Sequence, residues 1–322
     1  MGTSSFRPSD SASKTVRSKW PVKPDVLSTV DDLMKGYRKT VRENLGGIVE
    51  EHYPSLQHRG DNEYPKMLEL SAKMTMVAHA CTQIAGYPFD GRRQRISSLF
   101  GACCFIGDSF LDDFGEKESL EYLDRYELLL TKGWFDIRNE REQLFYVILS
   151  RLFAERDVLN TMLRQAVFSL FLAQKRDVEL RANVSWFKAL PRRSQLRLLR
   201  ECARDRSGHA ITILALFMVP ELPLRIHHLI YLAGSLIMYI DDHGDCHSDR
   251  YCNRLTYMNQ VKHPVRTLRK IFERSLSLLH QGLPEGLGQD LMIAFLYRYF
   301  ITRLRKHKLE KDNAGSSWNV YG

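Results

Sequence analysis

Residues 97–114, SSLFGACCFIGDSFLDDF, decide how the chain is read. The first half is apolar and rich in small side chains (Gly101, Ala102, Cys103, Cys104, Gly107), with nothing to face water, so it predicts a buried helix. That helix closes on Asp108, Asp112 and Asp113. The step from 108 to 112 is i, i+4, which puts two carboxylates one turn apart on one face, where they repel unless a cation lies between them. Residues 229–249, LIYLAGSLIMYIDDHGDCHSD, repeat the design. A run of buried-type helix leads into Asp241, Asp242, Asp245 and Asp249, and an unbroken helix stacks Asp241, Asp245 and Asp249 on one face. No basic residue follows until Arg250, so no close neighbour in sequence offsets the repulsion.

Around these two stretches the chain reads as helical. Apolar residues recur in steps of three and four, as in Leu144, Ile148, Leu152 and Leu159, Met162, Leu163, Ala166, Val167, Leu170, and strand alternation is nearly absent. Breaks at Gly46-Gly47, Pro54, Pro88, Gly133, Pro191, Pro220 to Pro223, Pro264 and Gly282 to Gly288 cut the chain into about nine or ten helices. None of the breaks has the length or polarity of a linker. The expectation is one all-α domain over residues 23–307, after a flexible Ser-rich tail at 1–22 and before a C-terminal tail at 308–322.

Composition narrows the function. With 322 residues, 44% apolar and 26% charged, the chain can bury a large core, which excludes general disorder. Its longest apolar runs fall short of the roughly 20 residues that cross a bilayer, so no transmembrane span is expected, while peripheral membrane contact stays open. Six cysteines (Cys81, Cys103, Cys104, Cys202, Cys246, Cys252) form no CxxC pair and read as free thiols in the cytoplasm. A surplus of 47 basic over 38 acidic side chains, +9, favours an anionic partner. Nucleic acid is not the expected one, because no zinc-finger, helix-turn-helix or RRM signature appears and bases alternate with acids along most helices.

Two aspartate clusters at the ends of very apolar helices suit a hard divalent cation, and Mg²⁺ is usually held by a few carboxylates together with phosphate oxygens. A diphosphate between two aspartate walls, with Arg and Lys on its outer oxygens, gives the basic surplus a use.

At these residues the sequence resembles the class I isoprenoid (terpene) synthase superfamily. Asp108-Ser-Phe-Leu-Asp112-Asp113 resembles the DxxxDD arrangement of squalene and phytoene synthases. Asp241, Asp245 and Asp249 have the spacing of the terpene-cyclase NSE triad, with Asp at each position. The likeness is closest to the tetraprenyl-β-curcumene synthase group (class IB, or large-terpene synthases), through residues 237–257 and 201–217. The resemblance implies a helical barrel around a central cavity, about three Mg²⁺ ions and a linear prenyl diphosphate substrate. It also implies a lyase in which Asp108, Asp112, Asp241 and Asp245 are catalytic and Asp108, Asp112, Asp113, Asp241, Asp242, Asp245 and Asp249 hold metal. Arg204 with Ser207-Gly208 resembles the diphosphate-sensing Arg and broken helix of terpene cyclases, and Arg250 and Arg254 are assigned to the same diphosphate. Two alternatives stay open: a squalene/phytoene-like or chain-elongating prenyltransferase, and a non-catalytic helical protein on a synthase scaffold.

Other constellations have plainer readings beside functional ones. Arg193, Arg197, Arg200 and Arg204 follow one helical face and read as a solvated basic surface. His243 and His247, at i, i+4, are an alternative transition-metal pair. Arg303, Arg305, Lys306 and Lys308, with Trp318 and Tyr321 beyond them, read either as solvated charge or as a lid that shuts water from a carbocation.

Overall fold

The computed structural model describes residues 22–58, 62–112, 115–155 and 161–317. Among these there is no strand. Ten helices of 15 to 31 residues carry the fold: α1 (Pro24–His52), α3 (Glu63–Ile84), α4 (Gly91–Asp112), α5 (Glu116–Lys132), α6 (Glu140–Ala154), α7 (Thr161–Ala182), α9 (Arg192–Met218), α10 (Leu224–Gly244), α13 (Pro264–Gly282) and α14 (Leu287–Ser317). Between them lie four short ones: α2 (Ser55–His58), α8 (Val184–Ala189), α11 (Cys246–Tyr251) and α12 (Tyr257–Gln260).

The boundaries follow local chemistry. Pro24 and Pro264 open α1 and α13 at positions where a missing N–H costs nothing. Asn139 caps α6 by accepting the Glu142 N–H, and Gly133 ends α5 with a left-handed φ of 70°. Pro220 and Pro223 separate α9 from α10 and turn the chain back on itself.

One contiguous apolar core draws side chains from all ten long helices. In α10, Ile230, Leu236 and Ile240 are at most 1% exposed, so truncating any of them to Ala costs about 2–5 kcal/mol. Small residues set the closest crossings. A Cβ at Gly101 of α4 would lie 2.4 Å from the Ser71 Cα of α3. Gly208 of α9 and Gly234 of α10 do the same for that pair, where a Cβ would meet the Tyr231 ring at 2.6 Å and the Ser207 carbonyl at 2.5 Å. Arg125 of α5 and Glu142 of α6 make a buried bidentate pair, both bonds at 2.7 Å, that ties the two helices together.

Two expectations are corrected. α14 continues to Ser317, ten residues beyond the expected end of the domain at His307, so residues 308–317 of the expected tail extend a helix that packs against α3 and α10. Trp318 and Tyr321 lie outside the described residues, as do residues 1–21 of the N-terminal tail expected at 1–22. The break expected at Ser207-Gly208 does not occur, for α9 runs unbroken through both. Gly208 is there for the close approach of α10, not for a kink.

Candidate functional site

Eight helices (α3, α4, α5, α6, α7, α9, α10 and α14) line an internal cavity of about 230 Å³. Its wall is mostly apolar, aliphatic and aromatic in nearly equal parts, with Phe100, Tyr126, Phe145, Phe171, Phe217 and Met238 among the lining side chains. Asp108 of α4 and Asp241 of α10 line this same cavity, with Gln174, Arg206 and Ser207. A second, polar pocket of about 130 Å³ is lined by Asp241, Asp242, Asp245 and Asp249, with Asp177, Arg181 and Arg254. Arg206, Met238 and Asp241 border both. The arrangement is an apolar chamber beside a carboxylate-rich mouth.

At the α4 end, Asp108 accepts from the Gln174 amide at 3.0 Å and faces the Arg206 guanidinium at 3.6 Å. Arg206 also donates to Asp177 at 3.0 Å, and Arg181 lies 3.3 Å from Asp177 while donating to the Leu111 carbonyl. Arg181 thereby satisfies one of the open carbonyls at the C-terminus of α4. Asp112 lies in the last turn of α4, and Asp113 lies outside the described residues.

At the α10 end, the helix closes at Gly244, Asp245 is a single turn residue, and α11 begins at Cys246. The i, i+4 ladder nevertheless continues, with Asp245 N–H donating to Asp241 (3.0 Å) and Asp249 N–H to Asp245 (2.8 Å). Asp241, Asp245 and Asp249 therefore keep the spacing of one helical face. Their repulsion is relieved from afar. Arg303 of α14 pairs with Asp241 and, at 3.4 Å, with Asp245; Lys306 pairs with Asp245; and the Tyr299 hydroxyl donates to Asp241 at 2.5 Å. Tyr299, Arg303 and Lys306 stand at i, i+4 and i+7, one face of α14. Asp242 is treated differently. Burial and the charges of Asp249 and Asp241 push its carboxyl well above the usual carboxylate range, with Arg206 pulling the other way.

Three of the five basic and small residues expected at the diphosphate stand elsewhere or act otherwise. Arg204 pairs with Asp205 and donates to the Tyr231 hydroxyl, and it lines neither pocket. Residues two apart on a helix point to nearly opposite sides, about 200° apart, so the cavity receives Arg206 instead. Gly208 packs against Tyr231, and Arg250 donates to the Asn259 carbonyl, anchoring α12. Ser207 is buried on the chamber wall, and Arg254 does line the mouth. Arg206 was visible in the pattern, because Arg206, Ala210, Ile213 and Phe217 form one stripe facing the chamber. Gln174, Asp177 and Arg181 of α7 were not singled out in the sequence, since a polar helix face has no mark that separates a site from solvated surface.

His243 and His247 lie with His307 as three neighbouring, mutually tilted rings, His243 to His307 at 4.2 Å and His247 to His307 at 4.7 Å between centroids. Burial and the neighbouring imidazoles pull His243 down to about 4, so its own ring is neutral at pH 7. Among the described residues no group of three or more His, Cys, Asp or Glu side chains converges on a point that could hold a metal ion. In kind, the mouth fits a hard cation. Its donors are carboxylate oxygens, and Arg206 only partly offsets the charge of an ionised Asp242.

No helix among the described residues is long and apolar enough to cross a membrane. Compared with protein-family models and with curated proteins, the chain gives no match.

Proposed function

We propose that the protein is a Mg²⁺-dependent class I terpene synthase that ionises a linear prenyl diphosphate and releases a terpene and diphosphate. The observation that carries this reading is that Asp108 and Asp241, from two separate aspartate-bearing helices, line one apolar, aromatic chamber. A prenyl chain fits the chamber by its chemistry, and a diphosphate fits the mouth by charge. Bound Mg²⁺ would supply Lewis-acid charge to the diphosphate oxygens. Asp108, Asp112, Asp241 and Asp245, with Asp113, Asp242 and Asp249, are the carboxylates offered to it. Arg206 and Arg254 border the mouth and are placed to meet the outer phosphate oxygens. The ring faces of Phe100, Tyr126, Phe171 and Phe217 exclude water and favour positive charge on the chain. Six free thiols support a reducing, cytoplasmic setting.

A second reading has its own observation. Arg303 and Lys306 already neutralise Asp241 and Asp245, as in a helical protein whose metal sites have become structural ion pairs. One experiment separates the readings. The protein is incubated with Mg²⁺ and, in turn, geranyl, farnesyl, geranylgeranyl and geranylfarnesyl diphosphate, then extracted for hydrocarbon and assayed for released diphosphate. A terpene from a single substrate supports the synthase, a product of doubled carbon count points to a coupling prenyltransferase, and no turnover of any substrate leaves the structural reading.

A further inference from the structure

We propose that the outer face of the first turns of α9 is a separate anion site, built for a ligand with adjacent phosphate groups. Arg193, Arg197 and Arg200 stand at i, i+4 and i+7 and, with Ser194, Leu196 and Tyr257, line a pocket of about 510 Å³. Among the described residues neither the Arg193 nor the Arg197 guanidinium makes an ion pair or a side-chain hydrogen bond, while Arg200 meets the neutral Tyr239 hydroxyl and no carboxylate. Other arginines of α7 and α9 behave differently, for Arg176, Arg181, Arg204 and Arg206 each meet an aspartate. Arg192, next in the chain, is spent on Gln195 and Gln260.

The fold gains little from this placement, since Glu201, at i+4 from Arg197, is the nearest acid in sequence and makes no ion pair with it among the described residues. Like charges at i, i+4 repel, and cations in the first turns face the positive end of the helix, where α9 has no acidic residue. An arrangement that costs stability in the free protein is relieved by a bound anion. The pocket also states which anion. Residues seven apart are separated by about 10 Å along a helix, too far for one phosphate to bridge all three, whereas long arginine side chains can close on two linked phosphates. Guanidinium forks match phosphate oxygens in pairs, and the Ser194 and Tyr257 hydroxyls add neutral donors. Tyr257 lines the aspartate mouth as well, so the two pockets adjoin. The proposal does not rest on metal binding or turnover.

The test is run in EDTA, where no divalent cation can hold an anion at the aspartates. Binding of inorganic pyrophosphate to the full chain is measured by calorimetry at fixed ionic strength, with inorganic phosphate and sulfate as comparisons. Pyrophosphate should bind and raise the Tm more than either comparison does. Each guanidinium removed should weaken binding about tenfold, so the Arg193→Gln/Arg197→Gln/Arg200→Gln protein loses it. Asp241→Asn should leave binding unchanged, which separates this site from the mouth. Sedimentation with phosphatidylcholine vesicles, with and without a phosphoinositide bisphosphate, distinguishes a lipid headgroup from a free ligand. Capture in either arm that the triple substitution abolishes supports the site and names its source. No binding in either arm, or binding that the triple substitution leaves intact, overturns it; should the triple variant not fold, Arg197→Gln alone gives the same decision.

Discussion

The ends of α4 and α10 look alike in sequence, each an apolar helix running into aspartates, yet the protein handles their charge in different ways. Asp108 is held by a neutral amide and shares one guanidinium with Asp177. Asp241 and Asp245 are gripped by two cations and a phenol from α14, some sixty residues away. Asp242, between them in sequence, is left with raised affinity for a proton. The lesson is that a carboxylate cluster is not a metal site by composition alone. What decides is how much of its charge the protein has already answered, and at the α10 end the answer is uneven from one aspartate to the next.

The largest expected effect tests whether both ends serve one reaction. Asp108→Asn and Asp241→Asn should each lower turnover of the accepted prenyl diphosphate by roughly 10²–10³-fold while the helical circular dichroism stays intact. Full activity in either variant would break the pairing of the two ends. A second effect belongs to the α10 end alone. His243 is buried and its folded-state pKa is lowered to about 4, so the fold prefers the neutral ring. Its contribution is present above the unfolded pKa of 6.5 and is lost as pH falls through the folded value, about 3 kcal/mol in all. Thermal unfolding followed between pH 7 and pH 4 should show that loss, and His243→Leu should flatten it; an unchanged slope in the variant would place the acid sensitivity elsewhere.

Much of this contrast could be read in advance, and the unread part has a physical reason. The two buried helices and their acidic ends follow from periodicity, and the ten long helices agree with the expected nine or ten, although α1 runs unbroken through the break expected at Gly46-Gly47. Asp108 and Asp241 fall on one chamber because each continues the inward stripe of its helix. Charge compensation is another matter. Arg303 and Lys306 stood out as basic residues, but their aspartate partners lie across a contact between α10 and α14 that no local pattern encodes. Arg204 and Arg206 differ in helical phase, and the stripe shared with Ala210, Ile213 and Phe217 belongs to Arg206.

Arg206 links the two ends, so Arg206→Gln probes the link. Removing it leaves Asp177 and Asp108 with less compensation in a partly buried place and should cost about 2 kcal/mol in urea unfolding. The Michaelis constant should rise as well; an unaltered constant with lowered stability would make Arg206 purely structural. The smallest effect has the opposite sign. Because the folded pKa of Asp242 is raised, the fold loses stability as pH rises above the unfolded value of 3.8 and through the folded one. Asp242→Asn should therefore give a modest rise in Tm at neutral pH without divalent cation, and the difference should shrink toward pH 4. A lower Tm in the variant would mean that the Asp242 charge is already balanced.

The glycine crossing of α9 and α10 has a mechanical consequence. With the Tyr231 ring resting on Gly208 and the Ser207 carbonyl on Gly234, the two helices are locked in register and cannot slide by a fraction of a turn without a clash. Arg206 and Asp241 thus sit on a single stiff plate. Any hinge that widens or narrows the mouth has to lie at the rim of that plate, where α14 meets α10 through side chains, Arg303 against Gly244 and His307 against His243.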